Sequence, residues 1–201
     1  MESTLVIGRS TLSIRRAAAV VSGALIVAGA AQVSIPLPGT PVPMTLQPMA
    51  VLLVGGLLGA RLGALSMILY LAMGAAGLPV FTPSPVLLPG IGRLFGQTGG
   101  YLLAYPIAAY AVGAIVPPLR SVERGSGGED TGRRWTRVAL GVFVGLVLIH
   151  LGGLAQLAIL TGNVSAAAQL GTWPFLLGDL LKLVILVPVL TRLTPTIRAR
   201  L

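Results

Sequence analysis

The sequence predicts an all-α integral membrane protein with six transmembrane helices in a single membrane domain, residues 1–201. Three observations predict this fold class. First, 55% of the 201 residues are hydrophobic and only 9% are charged, which is typical of membrane proteins. Second, the apolar residues form runs long enough to cross a hydrocarbon core of about 30 Å as helices. Third, most basic residues stand at the ends of these runs.

Six apolar segments account for the predicted helices. Their predicted bounds are residues 15–34, 46–60, 62–77, 98–117, 136–160 and 173–192. The second and third are short and almost continuous through the sequence GARLG, which predicts a tight helical hairpin with Arg61 in its turn. The fourth contains Pro106, which removes a backbone donor and predicts a kink. The sixth carries Pro174 in its first turn, where proline is well tolerated.

Two long proline-rich segments connect these helices. Residues 32–47 contain four prolines and no charge, and residues 77–100 contain four prolines and six glycines. Both keep large apolar residues, so we expect them to fold over the helix ends as a lid. Ordinary surface loops are the alternative.

The basic residues predict the orientation, because cytoplasmic loops of membrane proteins collect Lys and Arg. If the six spans alternate in direction, 12 of the 14 basic residues fall on one side. These are Arg9, Arg15, Arg16, Arg61, Arg120, Arg124, Arg133, Arg134, Arg137, Arg192, Arg198 and Arg200. We therefore expect a membrane protein with both termini in the cytoplasm. The charged, Gly-rich segment 120–134 is then a flexible cytoplasmic linker, and residues 161–172 form an outward loop together with the two proline-rich segments.

The residue inventory argues against several function classes. The absence of cysteine excludes thiol catalysis and cysteine-bound metal centres. The sequence has no H-E-x-x-H, no G-x-S-x-G and no P-loop. The net charge of +9 is spread over helix ends instead of forming one patch, which argues against nucleic-acid binding. We expect no enzymatic activity, no metal and no cofactor, and any use of ATP must come from partner subunits.

Asp179 and Lys182 are the residues that most strongly indicate a function. Both lie inside the sixth span, three residues apart, and therefore on one face of the helix. An ionisable side chain at the bilayer centre costs at least about 2.5–3.5 kcal/mol, so such residues usually face a bundle interior or a cavity. We interpret the pair as the polar floor of an outward-facing ligand cavity. The alternative is an ion pair that only fixes helix packing.

Arg93 is the basic residue of the second proline-rich segment, on the predicted outward side. Its guanidinium can bind a carboxylate through two hydrogen bonds, although a plain solvated charge is an equal alternative. Neutral hydrogen-bonding side chains occur near it and in the first proline-rich segment. These further candidates for ligand binding are Gln97, Tyr101, Thr45 and Gln47.

Two other features have a structural and a functional reading. His150, the single histidine, lies among apolar residues of the fifth span and is interpreted as a buried neutral side chain with one hydrogen bond rather than as a proton relay. Ala24 and Ala28 stand four residues apart in the first span, a spacing that lets helices approach closely in lipid. They are candidates either for contact within the chain or for docking to a separate membrane subunit.

Four motifs in order give a resemblance to a known family. QVSIPLPGTPVPMTLQ, LLVGGLLGARLGALSMILYLAMGAAGLPVF, GQTGGYL and PFLLGDLLK closely resemble the BioY family, the biotin-specific substrate-binding (S) subunits of energy-coupling-factor (ECF) transporters. The resemblance extends from about residue 17 to residue 190. It implies a six-helix bundle that captures biotin at its outer face, docks to a transmembrane coupling subunit through the face around Ala24 and Ala28, and imports biotin with the help of two ATPases.

The resemblance also assigns roles to the candidate residues. Asp179 is expected to accept a hydrogen bond from a ureido N–H of biotin, and Lys182 to donate to the ureido carbonyl or to the carboxylate. Arg93 is the second candidate for the carboxylate. Two other functions remain open from the residues alone: a secondary carrier, with Asp179 as the candidate proton-coupling group, and a non-transporting anchoring protein.

Overall fold

The structure, a computed structural model, describes residues 2–84, 90–116, 129–199 and 201. Seven α-helices and one short hairpin of two strands are present in this part of the chain. In chain order they are α1 (Glu2–Gln32), β1 (Ser34–Ile35), β2 (Met44–Thr45), α2 (Gln47–Leu58), α3 (Ala60–Ala75), α4 (Gly99–Ile115), α5 (Glu129–Thr161), α6 (Val164–Gly171) and α7 (Leu176–Arg198). Two 3₁₀ helices, Ile91–Leu94 and Trp173–Phe175, precede α4 and α7.

The predicted all-α membrane fold is confirmed. The segments Ser13–Gln32, Gly132–Thr161 and Val164–Arg198 are long and apolar enough to cross a membrane, and three shorter helices, α2, α3 and α4, are also apolar. The six predicted spans correspond to α1, α2, α3, α4, α5 and α7. Helix α2 has 12 residues, which extend only about 18 Å at about 1.5 Å per residue. It is surrounded by α1, α3, α4, α5 and α7, so it need not match the bilayer by itself.

The predicted hairpin between α2 and α3 is confirmed, and glycines make it possible. Gly59 separates the two helices with φ of +84°, a conformation that favours glycine. A Cβ at Gly113 of α4 would lie 2.3 Å from the backbone nitrogen of Ala60, so α4 packs directly on the backbone of the turn. Backbones approach this closely in a membrane bundle where small residues line the interface.

Arg198 ties α7 to the same end of the bundle. Its guanidinium donates to the carbonyl oxygen of Gly56 (Nη2, 2.7 Å) in α2 and to those of Gly113 (3.1 Å) and Val116 (2.8 Å) at the end of α4. Positive charge is favourable at helix C-termini, where carbonyl groups lack helical partners. We call this end of the bundle, with the α2–α3 turn and the end of α7, the Arg198 end.

We expect Arg198→Met to lower the unfolding temperature of the detergent-purified protein by several degrees. Hydrogen bonds from a charged group contribute about 1.5–3 kcal/mol, and the substitution leaves three carbonyl groups without this donor. Arg192→Met is the matched control, because Arg192 lies in the same helix and is exposed. Equal unfolding temperatures for the two variants, measured by differential scanning fluorimetry, would show that the contacts of Arg198 contribute nothing.

The two proline-rich segments and α6 gather at the opposite end, which we call the loop end. The first segment folds back on itself, with Ser34 paired to Thr45 in an antiparallel hairpin. The hydroxyl of Thr40 donates to the carbonyl of Leu170 in α6, and the hydroxyl of Tyr101 in α4 donates to the carbonyl of Gly171. The first proline-rich segment is therefore bonded to α6, and α6 is bonded to α4. Residues 85–89 of the second segment lie outside the described residues.

Two sequence predictions need correction. Residues 129–134 of the predicted linker belong to α5, because arginines such as Arg133 and Arg134 are good helix formers and the helix continues beyond its apolar part. Residues 120–128 of that linker lie outside the described residues. The predicted outward loop 161–172 contains α6, whose first turn is capped by the Asn163 side chain accepting from the backbone of Ser165 and Ala166.

Candidate functional site

A cavity lies at the loop end between α4, α5, α7 and the two proline-rich segments. Its empty space is about 620 Å³ when the open solvent at its mouth is included. The lining residues are Val42, Pro43, Thr45, Gln47, Pro48, Phe81, Thr82, Arg93, Thr98, Tyr101, Leu102, Tyr105, Leu146, Ile149, His150, Phe175, Asp179 and Lys182. The walls are mostly apolar or aromatic, and both charged and neutral hydrogen-bonding side chains belong to the lining.

Asp179 is the centre of the charged side. Its Oδ1 lies 2.8 Å from Nζ of Lys182 on the same helix, and its Oδ2 lies 2.5 Å from Nε2 of His150 on α5. Asp179 and Lys182 are both buried. Each carboxylate oxygen therefore has one protein partner and keeps a lone pair for a ligand donor, and Lys182 keeps two of its three N–H groups.

The position of Asp179 in α7 favours its negative charge. It lies in the first turn of the helix, where the unpaired backbone N–H groups give a positive potential. Among the described residues that line the cavity, Asp179 is the acidic one. Asp179 is thus the acidic group of this cavity, facing Lys182 nearby and Arg93 on the other side.

A chain of neutral hydrogen bonds fixes the opposite wall. Nε2 of Gln47 donates to the hydroxyl of Tyr70 at 2.6 Å, and Oε1 of Gln47 accepts from the hydroxyl of Thr82 at 2.7 Å. Thr45 adds a contact to Oε1 of Gln47 at 3.3 Å. The Gln47 amide is therefore held in one orientation, with one N–H remaining beyond these bonds.

Arg93 is buried at the mouth of this cavity. Its Nη2 donates to the backbone carbonyl of Thr82. Burial lowers the pKa of the guanidinium below its ordinary value, but an arginine side chain stays protonated at neutral pH. Arg93 also lines an outer cavity of about 940 Å³, its open space included, formed by the two proline-rich segments. A ligand that passes from the outer to the inner cavity passes this positive charge.

Gln156 of α5 holds the segment that carries Arg93. Its Nε2 donates to the carbonyl oxygens of Leu94 (3.0 Å) and Gly96 (2.6 Å). Gly99 packs against this amide so closely that a Cβ there would lie 2.7 Å from Nε2. These contacts fix the end of the second proline-rich segment on α5, and with it the position of Arg93.

The structure brings most of the predicted binding residues together. Asp179, Lys182, Arg93, Tyr101, Thr45 and Gln47 line the inner cavity, whereas Gln97 is exposed and lines the outer one. The ring of Tyr101 forms part of the wall, but its hydroxyl group donates its hydrogen bond to the carbonyl oxygen of Gly171. Their roles toward a ligand remain predictions.

The burial of Ala24 and Ala28 supports contact within the chain, one of the two alternatives for these residues. Ala24 is fully buried and Ala28 is 9% exposed within the chain's own bundle. The exposed positions of α1 nearby are Leu25, Ile26 and Gly29. Small residues occur on more than one face of α1, so their spacing did not identify the face that packs inward.

His150 is an ionisable cavity residue that the sequence analysis did not assign to the site. The expected single hydrogen bond is present, but its acceptor is Asp179, and the ring lines the cavity. The aromatic rings of Tyr101 and Phe175 flank it at 6.3 Å and 6.4 Å between centroids. The available signal was a histidine in the middle of an apolar span, a position where an ionisable residue indicates function by default.

Comparison with known proteins gives consistent matches over most of the chain. Residues 3–199 match the profile of the BioY family. The chain is 36% identical to the biotin transporter BioY of Thermotoga maritima, covering 85% of this chain and 89% of that protein. It is 37% identical to the biotin transporter BioY of Rhodobacter capsulatus, covering 81% and 83%. A probable biotin transporter BioY of Pyrococcus horikoshii is 37% identical over 71% of this chain and 74% of its own length.

A solved structure shares the fold. It is the crystal structure at 2.1 Å of the S-component for biotin from an ECF-type ABC transporter. The TM-score is 0.73 and the sequence identity is 23%, and the match covers 91% of this chain and 92% of that one. The seven-helix arrangement with its loop end is therefore the S-component fold.

Proposed function

Because the chain belongs to the BioY family, we propose that it is the biotin-capturing S-component of an ECF-type transporter and binds biotin in the inner cavity. The observation that carries this proposal is the partly buried triad of Asp179, Lys182 and His150 at one side of an apolar cavity, with Arg93 at the mouth. A ligand that fits must carry a compact polar group at one end, an apolar middle and an anionic group at the other. Biotin has this order of groups.

The charged side of the cavity complements the ureido ring. One edge of a ureido group presents an N–H donor beside a carbonyl acceptor. Asp179 and Lys182, 2.8 Å apart, present an acceptor beside a donor. Asp179 then accepts from the ureido N–H and Lys182 donates to the ureido carbonyl, each as a charge-assisted hydrogen bond.

The formal charges favour a ligand with one negative charge. Lys182 and Asp179 cancel each other, and Arg93 adds one positive charge at the mouth. A carboxylate at the end of the biotin tail neutralises this charge and can bind the guanidinium through two hydrogen bonds. The apolar walls between the two polar ends bury the thioether ring and the tail.

The proposed mechanism is capture without chemistry on the ligand. The loop end faces outward and the Arg198 end faces the cytoplasm, together with both termini, as the basic residues predict. The loop-end segments close over biotin and exclude water, which strengthens the ionic contacts. A transmembrane coupling subunit and two ATPases then drive release on the cytoplasmic side.

Isothermal titration of the detergent-purified full-length chain tests the proposal. We expect saturable binding of biotin and no binding of riboflavin or thiamine at the same concentrations, because neither presents a ureido edge and a distant carboxylate together. Failure to bind biotin, with the protein monodisperse and folded, would overturn the proposed function.

We expect Arg93→Gln to weaken binding of biotin about fivefold and to leave binding of biotin methyl ester unchanged. The ester lacks the carboxylate charge, so it gains nothing from the guanidinium. Arg192→Gln is the control, because it removes one exposed arginine of α7 instead. An equal loss for biotin and its ester in Arg93→Gln would show that Arg93 acts on the loop and not on the carboxylate.

A further inference from the structure

His150 connects two helices at the charged side of the cavity. Its Nε2, on α5, lies 2.5 Å from Oδ2 of Asp179, on α7. A carboxylate can only accept, so Nε2 carries the hydrogen. Nδ1 is buried and has no hydrogen-bond partner among the described residues, and a lone pair at that atom is cheaper to bury than an unbonded N–H. The geometry thus places a hydrogen on Nε2 that is donated to Asp179.

The surroundings of His150 fix the ring in this position. The ring of Tyr101 stands at 79° to it, and Phe175 packs at 6.4 Å on another side. Tyr101 can lie so close to α5 because Gly153, one turn from His150, has no side chain: a Cβ there would lie 2.1 Å from the Tyr101 ring. Contacts with α4, with α7 and with the 3₁₀ helix that precedes α7 therefore fix the orientation of the imidazole on α5.

The consequence concerns the Asp179–Lys182 pair. Residues at i and i+3 of one helix can pair without help from any other element. In an apolar cavity, a carboxylate with an unoccupied Oδ2 gains by turning both oxygens toward the ammonium group, since an unpaired buried oxygen is unfavourable. That closed pair would use two of the three N–H groups of Lys182 and leave one donor fewer for a ligand.

We propose that His150 is a positioning residue that holds this ion pair open: by donating to Oδ2 of Asp179 it keeps the carboxylate bound to Lys182 through Oδ1 alone. One lone pair on each carboxylate oxygen and the two remaining N–H groups of Lys182 then stay available to a ligand. This inference rests on the proposed function, because it assigns to His150 the orientation of the groups that read the ureido edge of biotin.

The substitutions of His150 are chosen by whether they keep a donor at the position of Nε2, the atom that bonds to Asp179. Gln places its amide N–H near the position of Nε2, whereas Asn places it near Nδ1 and Phe offers no donor. We expect His150→Gln to bind biotin within about twofold of the wild-type chain, and His150→Phe and His150→Asn to bind about fivefold more weakly. Leu151→Ala, an exposed neighbour on α5, is the matched control with unchanged affinity.

A second ligand separates positioning from simple structural support. Biotin derivatives methylated at one or the other ureido nitrogen lack one N–H, so they gain nothing from a correctly oriented carboxylate at that position. The derivative methylated at the nitrogen that donates to Asp179 is expected to bind the wild-type chain more weakly than biotin does. We expect this preference for biotin to fall about fivefold in His150→Phe and to be restored in His150→Gln. Competition titration on full-length protein in detergent measures the affinity for biotin relative to each methylated derivative. Unfolded protein binds neither ligand, so it does not change this ratio of affinities.

The outcomes distinguish the two proposals. If the wild-type chain does not bind biotin, the proposed function fails. If the wild-type chain binds biotin, but His150→Phe loses the same factor for biotin and for both methylated derivatives, His150 is a packing residue and the inference fails. It fails equally if His150→Gln binds as weakly as His150→Asn.

Discussion

Asp179→Asn is expected to weaken biotin binding by about 10- to 100-fold, or about 1.4–2.8 kcal/mol. The substitution removes the charge that both Lys182 and His150 bind at 2.8 Å and 2.5 Å, and it leaves a buried ammonium group without a counter-ion. It also replaces one acceptor oxygen by an N–H donor. Isothermal titration of the purified variant against biotin gives the affinity directly.

Leu180→Ala is the control for Asp179→Asn. Leu180 is the next residue of α7 and is 59% exposed, so its truncation shortens a side chain on the outer surface and leaves the cavity intact. Unchanged affinity in Asp179→Asn would contradict the site assignment.

A double variant, Asp179→Leu with Lys182→Met, tests the alternative of a purely structural pair, because a buried ion pair can be exchanged for apolar residues of similar volume without loss of stability. Biotin binding by that double variant would support the alternative.

Gly113→Ala is expected to lower the unfolding temperature by at least about 5 °C and to reduce the yield of monodisperse protein. A Cβ at this position would lie 2.3 Å from the nitrogen of Ala60, 2.4 Å from the carbonyl carbon of Gly59 and 2.7 Å from Cα of Ala60. All three atoms are backbone, so no side-chain rotation relieves the overlap. The α2–α3 turn and α4 must separate instead, which also disturbs the carbonyls that Arg198 binds.

Gly29→Ala is the matched control for Gly113→Ala. Gly29 lies in α1, is exposed, and a Cβ there would have no atom within 4 Å. Alanine in place of glycine within a helix stabilises by up to about 1 kcal/mol, so this control should unfold at the same temperature or slightly higher. Equal unfolding temperatures for Gly113→Ala and Gly29→Ala in differential scanning fluorimetry would contradict the close approach at Gly113.

Features that depend on local sequence were predictable. The turn between α2 and α3 follows from a glycine beside a charged residue between two apolar runs. Asp179 and Lys182 share a face because their spacing is close to one helical turn. The placement of Arg93 near the cavity followed from one basic residue in an otherwise apolar segment. In each case the informative residues are neighbours in the chain, so the pattern and the geometry coincide.

Features that depend on packing between helices were not predictable from one sequence. His150 and Asp179 are 29 residues apart, and nothing in the apolar sequence around His150 indicates which neighbour it faces. The inward face of α1 stayed open because small residues occur around much of the helix. Helix α6 was missed because eight residues with few large apolar side chains look like a connection, and its stability comes partly from the Asn163 cap and from bonds to Thr40 and Tyr101.

The short length of α2 has a consequence for where a polar molecule can rest in an apolar bundle. The helix is about 12 Å shorter than a hydrocarbon core of about 30 Å. Its C-terminal end is fixed by the Gly59 turn and Arg198, so the missing turns fall at the other end, where Gln47 and Pro48 line the cavity. The depth of the inner cavity is thus set by the shortness of α2. One further turn at the N-terminal end of α2 would fill part of the cavity with backbone.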